Sequence, residues 1–142
     1  MRFVLDASIS ASWFLPDEVS PLSVHVAALL EQNTALVPTL WRYEMVNIIL
    51  TNLRRGRLQE ENALSAFTAF NALSVTECPA GNSKAIAILA RKHDLTGYDA
   101  AYLELAVRED ATLYTSDKKL LLALAHYPAL VPPPLAPSPR AV

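Results

Sequence analysis

The sequence predicts an α/β fold, a three-layer α/β/α sandwich on a short, mainly parallel sheet. Short apolar runs such as RFVL, TALVP and ATLYTS alternate along the chain with longer stretches of helical period. Strands separated by helices need crossover connections, and crossovers place helices on both faces of a parallel sheet. At 142 residues the chain is long enough to bury one substantial core.

The elements follow in order. RFVL is a first strand, and ASISASWFL after it a short helix. Ser20 followed by Pro21 marks a helix start, because a hydroxyl cap and a proline at the first helical position suit one another. That helix runs through SVHVAALLEQ, and NTALVP is the second strand. Residues 40–55, LWRYEMVNIILTNLRR, form a strong helix closed by Gly56 at the expected stop position. QEENALSAFTAFNAL continues as helix and SVTEC as strand. GNSKAIAILARKHD is a helix capped by Asn82 or Ser83, and TGYDAAYLELAVRED a helix capped by Thr96. ATLYTS is a strand, DKKLLLALAHY a helix, and ALVP a final strand. These fall in a single domain over residues 1–131. Residues 132–142, PPPLAPSPRAV, carry five of the ten prolines and predict an extended or disordered tail.

Composition excludes several function classes. Cys78 has no disulfide partner, and no Cys/His cluster exists for structural zinc, which suits a reducing cytoplasm. Cys78 reads as a small buried or strand-end residue. The N-terminus enters a strand with no basic leader and apolar core, so secretion is not expected. Segments such as MVNIIL and LLLALA fall far short of the ~20 apolar residues of a membrane span. Twelve basic and 14 acidic residues give a net charge of −2, which argues against a strongly basic nucleic-acid binder. If four carboxylates bind cations, however, 12 basic face 10 acidic residues and a polyanionic substrate stays admissible.

Four acids stand out. In an open α/β sheet, sites form at the carboxyl ends of the strands. Asp6 ends the first strand, Asp117 follows the strand ATLYTS, and Asp99 lies in a first helical turn that should point to the same edge. Glu44 shares its helix face with Leu40, Trp41, Asn47 and Ile48, where an ionised acid is costly unless paired or bound to metal. Asn47, one turn on, could hold that carboxylate or a water beside it. Each acid also has a structural reading. Asp99 fits a capping pattern with Thr96, Asp117 can cap the last helix, and Asp6 can bond turn amides. Gathered at one edge they change meaning, since two like charges about 4 Å apart repel by ~4 kcal/mol at an effective dielectric near 20. All-oxygen ligands suit Mg²⁺ or Mn²⁺, and those ions suit phosphodiester hydrolysis.

The remaining signals are weaker. Ser8 and Thr115 could position a water or phosphate near the acids. Arg54, Arg55 and Arg57 sit at a helix end, and Lys118 and Lys119 adjoin Asp117, so both groups are candidates to meet RNA phosphates. His25, His93 and His126 show no metal-ligand spacing. A phosphoaspartate phosphatase would want a second Asp at the position of Ser8, and a receiver domain would want a paired acid before the first helix; neither is present.

The segments VLDAS (4–8), LWRYEMVNIIL (40–50), LTGYDAAYLELA (95–106) and LYTSDKKL (113–120), in that order, resemble the PIN-domain ribonucleases, and within them the VapC-type toxins of bacterial toxin-antitoxin pairs. The resemblance covers nearly all of the chain except the proline-rich tail. It implies that Asp6, Glu44, Asp99 and Asp117 are the four metal-binding acids, with Asn47, Ser8 and Thr115 lining the site. It further implies a Mg²⁺-dependent endoribonuclease of compact α/β/α fold that forms homodimers. A cognate antitoxin would inhibit it by covering the active-site groove. The alternative is a catalytically weak partner-binding module of the same fold.

Overall fold

The computed structural model describes residues 1–136. Strands β1 (Arg2–Leu5), β2 (Thr34–Pro38), β3 (Val75–Cys78) and β4 (Thr112–Tyr114) form one sheet in the order β3-β2-β1-β4, with every neighbouring pair parallel. Phe3 is in register with Ala35 on one side and with Thr112 on the other. Residues Phe3, Val4 and Leu5 are each 0% exposed. A strand covered on both faces reads as an unbroken apolar run, which is why RFVL shows no alternation.

Among the described residues seven α-helices flank the sheet: α1 (Ala7–Ser12), α2 (Pro21–Leu30), α3 (Leu40–Arg54), α4 (Glu60–Asn71), α5 (Ser83–His93), α6 (Gly97–Glu109) and α7 (Lys118–Leu124). Helix α6 lies across β1, β2 and β4 with α5 and α7 beside it, while α1, α2, α3 and α4 pack as a second group through α3 against β2. The layers are α/β/α, as the alternation predicts.

Local chemistry explains the boundaries. The Ser20 hydroxyl accepts from the Ser23 amide at 3.1 Å and the Ser23 hydroxyl accepts from the Ser20 amide at 2.8 Å, a reciprocal cap with serine in the place usually taken by glutamate. Asn82 caps α5 through the amides of Lys84 and Ala85. Gly56 stands at φ +73°, the left-handed turn that stops α3. In the core beneath α3, the Trp41 indole donates to Ser10 Oγ at 2.9 Å and Ser10 Oγ donates to Met45 Sδ at 3.2 Å. Trp41 also meets the Phe70 ring edge to face, with centroids 5.8 Å apart.

Two expectations are corrected. The segment ALVP is not a strand: Pro128–Leu130 is a 3-10 turn that inserts buried Leu130 beside β4. Pro128, Pro132 and Pro133 carry no amide hydrogen, so this segment cannot donate regularly to a ladder. The last helix ends at Leu124, short of the predicted tyrosine. Residues 132–136 have no regular secondary structure, and the remainder of the expected tail lies outside the described residues. Among the described residues, no helix is long and apolar enough to cross a membrane.

Candidate active site

The strand order creates the site. From β1 the chain steps outward through β2 to β3, then returns to place β4 on the other flank of β1. Loops leaving β1 and β4 therefore part in opposite directions, and the carboxyl ends of these two strands open a crevice at the switch point. Asp6 stands there at the end of β1, only 5% exposed, with its amide donating to the Tyr114 carbonyl at 3.0 Å.

Two hydroxyls hold the Asp6 carboxylate. Ser8 Oγ donates to Asp6 Oδ2 at 2.6 Å and Thr115 Oγ1 donates to the same oxygen at 2.7 Å. Each hydroxyl is itself fixed, since Ser8 Oγ accepts from the Ser116 amide at 3.1 Å and Thr115 Oγ1 from the Asp117 amide at 3.0 Å. Both donors fall on one oxygen, so among the described residues Oδ1 has no side-chain partner. Asp117 caps α7 with Oδ1, which accepts from the Leu120 amide at 2.9 Å. The structural reading of Asp117 is thus correct as far as it goes, and its second oxygen is not used in the cap.

Asp99 occupies the first turn of α6. Thr96 caps that helix by accepting from the Asp99 amide at 3.1 Å, so the Asp99 side chain is not itself the cap. Glu44, in the second turn of α3, meets α6 from the other side: the Tyr102 hydroxyl donates to Glu44 Oε1 at 2.6 Å. Tyr102 is 0% exposed apart from this contact. Burial and the neighbouring acids Asp6 and Glu44 raise its own pKa, so it stays protonated and remains a donor.

The electrostatics show that the acids share one space. Burial pushes Asp6 up; Ser8 and Thr115 oppose that shift, and the charges of Asp99 and Asp117 add to it. Burial raises Glu44 to about 7, with Tyr102 pulling down and Asp6 and Asp99 pushing up. Asp99 is raised by burial and then by Asp117, against Thr96 and Lys119. Asp6, Glu44 and Asp99 therefore each feel neighbouring acids, Asp117 acting on Asp6 and Asp99, and ionisation of these three is made more costly.

Other predicted residues fall nearer or farther. Asn47 is exposed and lines a groove with Glu44, Leu40, Tyr43 and Tyr98, while the hydrogen bond to the Glu44 carboxylate, one of the two roles open to Asn47, is made by Tyr102. Lys119 reaches Asp94, with Nζ 3.4 Å from its carboxylate, and Lys118 is exposed beside it. Arg54 and Arg55 are exposed at the far end of α3, ten residues or so from Glu44 and so roughly 15 Å along the helix. Arg57 pairs instead with Asp17 at 2.7 Å. Another buried carboxylate, Glu104, has its charge matched by Arg108 one turn on, at 3.0 Å. Cys78 ends β3 and burial raises its thiol pKa, as a structural cysteine requires.

The model of the PIN domain family matches residues 3–126. The chain belongs to the PIN-domain family. Ribonuclease VapC3 of Pyrobaculum aerophilum is 34% identical to this PIN domain over 137 residues, covering 94% of this chain and all of the relative. In structure it is similar to PAE2754 from the same organism, with TM-score 0.58 at 20% identity over 87% of this chain and 79% of the other. It is also similar to VapBC2 from Rickettsia felis, solved bound to a DNA fragment from its promoter, with TM-score 0.63 at 14% identity over 92% and 96% of the two chains. At those identities the two structures speak for the fold.

The donor set fits a hard divalent cation, being all carboxylate oxygen with no nitrogen or sulfur among it. Among the described residues, no three such groups are drawn tightly enough to enclose an ion by themselves.

Proposed function

We propose that this PIN domain is a Mg²⁺-dependent endoribonuclease, with Mn²⁺ as an alternative ion, and the toxin of a toxin-antitoxin pair. The observation that carries the reading is the convergence of Asp6, Glu44, Asp99 and Asp117 at the sheet's switch point, where Asp6, Glu44 and Asp99 each feel neighbouring carboxylates. A crowd of half-buried acids that repel one another is a poor structural device and a good cation site. The relative named Ribonuclease VapC3 supports the ribonuclease, and its VapC name supports the place in a toxin-antitoxin pair.

Each residue has a task. Asp6, through the oxygen left open by Ser8 and Thr115, and Asp99 would form the core of the metal site, with Glu44 and the second oxygen of Asp117 completing it directly or through water. A bound ion there lowers the pKa of water and neutralises charge on the phosphodiester. Tyr102 orients Glu44 and, remaining protonated, keeps one of its oxygens occupied so that the other faces the site. The N-terminus of α6 favours the ionised form of Asp99. Lys118 and Lys119, which follow Asp117 in the chain, would meet the RNA backbone near the acids, and Arg54 and Arg55 would meet it farther along α3. A homodimer is expected, and the apolar strip formed by Ala85, Ile88 and Leu89 of α5 with Val107 of α6 offers a surface to bury. The site of action is the cytoplasm.

The test is the purified full chain, free of antitoxin, incubated with structured RNAs in Mg²⁺, in Mn²⁺ and in EDTA. Cleavage is expected with either ion, none in EDTA, and a loss of at least a hundredfold in Asp99→Asn. Cleavage that survives EDTA and Asp99→Asn sinks the mechanism, and absence of cleavage throughout leaves the partner-binding module as the better description.

A further inference from the structure

We propose that Tyr43 and Tyr98 form a stacking platform for an unpaired base of the RNA substrate, next to the phosphate that is cut. The inference rests on the ribonuclease reading and adds the form of substrate. Tyr43 is 77% exposed and Tyr98 71% exposed, although an aromatic ring left in water forgoes a large hydrophobic gain. Neither ring pairs with another aromatic side chain among the described residues. Exposure of this size on two separate helices, converging on one groove, is not explained by packing.

Their placement gives the reason. Tyr43 directly precedes Glu44 on α3, and Tyr98 directly precedes Asp99 on α6. Consecutive helical residues diverge by about 100° around the axis, so each ring flanks the acid that follows it. The two rings border one open groove of about 330 Å³ together with Leu40, Glu44 and Asn47. A base held there would hang its phosphate towards the acids. Sequence-specific proteins take unpaired RNA bases on aromatic faces and read their edges with amides, and Asn47 supplies both a donor and an acceptor at the rim.

The lining also argues against a protein helix as occupant. Helix docking uses aliphatic anchors at i, i+3, i+4 and i+7 in successive apolar pockets. Here the one aliphatic residue is half-buried Leu40, and the remainder is two phenols, an amide and a carboxylate. Flat rings with a polar rim match a nucleobase.

The probe is a short unpaired oligoribonucleotide carrying a fluorescent purine analogue at successive positions. It is mixed in Mg²⁺ with the full chain bearing Asp99→Asn, so that binding is read without cutting. Quenching is expected at one position. Tyr43→Ala and Tyr98→Ala should each relieve it and weaken binding about tenfold, the loss of one base stack. Tyr43→Phe and Tyr98→Phe should keep both quenching and affinity, because stacking needs the ring and not the hydroxyl. In the cutting-competent chain the alanine variants should raise KM more than they lower kcat, with melting temperatures unchanged. Alanine variants that bind and quench as well as the parent overturn the platform, as do phenylalanine variants that fail like alanine. If the alanine variants keep RNA binding and lose the partner protein instead, the groove is a protein-docking surface and the proposal is wrong. A parent chain that cuts RNA while both alanine variants keep its KM loses only the platform; a parent that neither binds nor cuts RNA loses the ribonuclease reading as well.

Discussion

Asp99 carries two identities that a single substitution separates. Its amide is what Thr96 caps, and that bond survives replacement of the side chain. Its carboxyl, by contrast, is raised by burial and by Asp117, so ionisation opposes folding when no cation is bound. Asp99→Asn should therefore raise the melting temperature of the metal-free protein by a few degrees, read by calorimetry in EDTA; a clear fall would mean that the carboxylate stabilises the helix after all. Ser10 poses the opposite case. It accepts the Trp41 indole proton and donates to Met45, both in a fully buried place. Ser10→Ala leaves that N–H without a partner and should cost roughly 1–3 kcal/mol, seen as a lower denaturant midpoint at constant m-value.

At the scale of elements, α6 is the part most constrained from outside. It covers the sheet, supplies Asp99 and Tyr102 to the acids, and on its outer turns holds Glu104 and Arg108 against the loop before α5. A methyl group added at Gly81 would strike the Glu104 carboxylate, which Arg108 pins in place. Gly81→Ala should cost about 1–3 kcal/mol by overpacking, and Gly81→Ala with Glu104→Ala should recover part of it in a double-mutant cycle. Element types and most boundaries were legible in the sequence because caps and breakers are local: Ser20 with Pro21, Asn82, Thr96 and Gly56 each act within a few residues. The 3-10 turn around Ala129 was not, since an apolar triplet between prolines carries no period. Of the site, Asp6, Asp99 and Asp117 were legible from their places at strand and helix ends. The Tyr102 bond to Glu44 was not, because it joins residues 58 apart through a helix crossing that no spacing encodes.

For the whole molecule, the acids set a pH dependence that runs against habit. Asp6, Glu44 and Asp99 all have raised pKa values in the fold, Glu44 to about 7. Between the ordinary carboxylate range near pH 4 and about pH 7 these three groups hold more protons in the folded chain than in the unfolded one, so their contribution to stability falls as pH rises through that window, against the opposite contribution of His93, whose pKa is lowered in the fold. In EDTA the melting temperature should be higher at pH 5 than at pH 8. Millimolar Mg²⁺ should flatten the slope by stabilising the ionised set, the more so the higher the pH. A metal-free protein that gains stability steadily from pH 5 to 8 would show that the acids do not interact as described.

The two hydroxyls on Asp6 have a consequence for how this protein is made. Ser8 reaches the Ser116 amide across 108 residues of chain, and Thr115 reaches Asp6 across 109. Contacts so distant in sequence close late, after the segments between them have ordered. On the ribosome, Asp6 emerges long before Thr115 and must wait for the fourth strand before its carboxylate is held. A polypeptide whose synthesis stalls before Thr112 carries three of the four acids and lacks the flanking strand, the hydroxyl and the last helix that complete their setting. On the proposed reading such truncated chains are inert, and the set of acids is complete only once β4 and the start of α7 have been made.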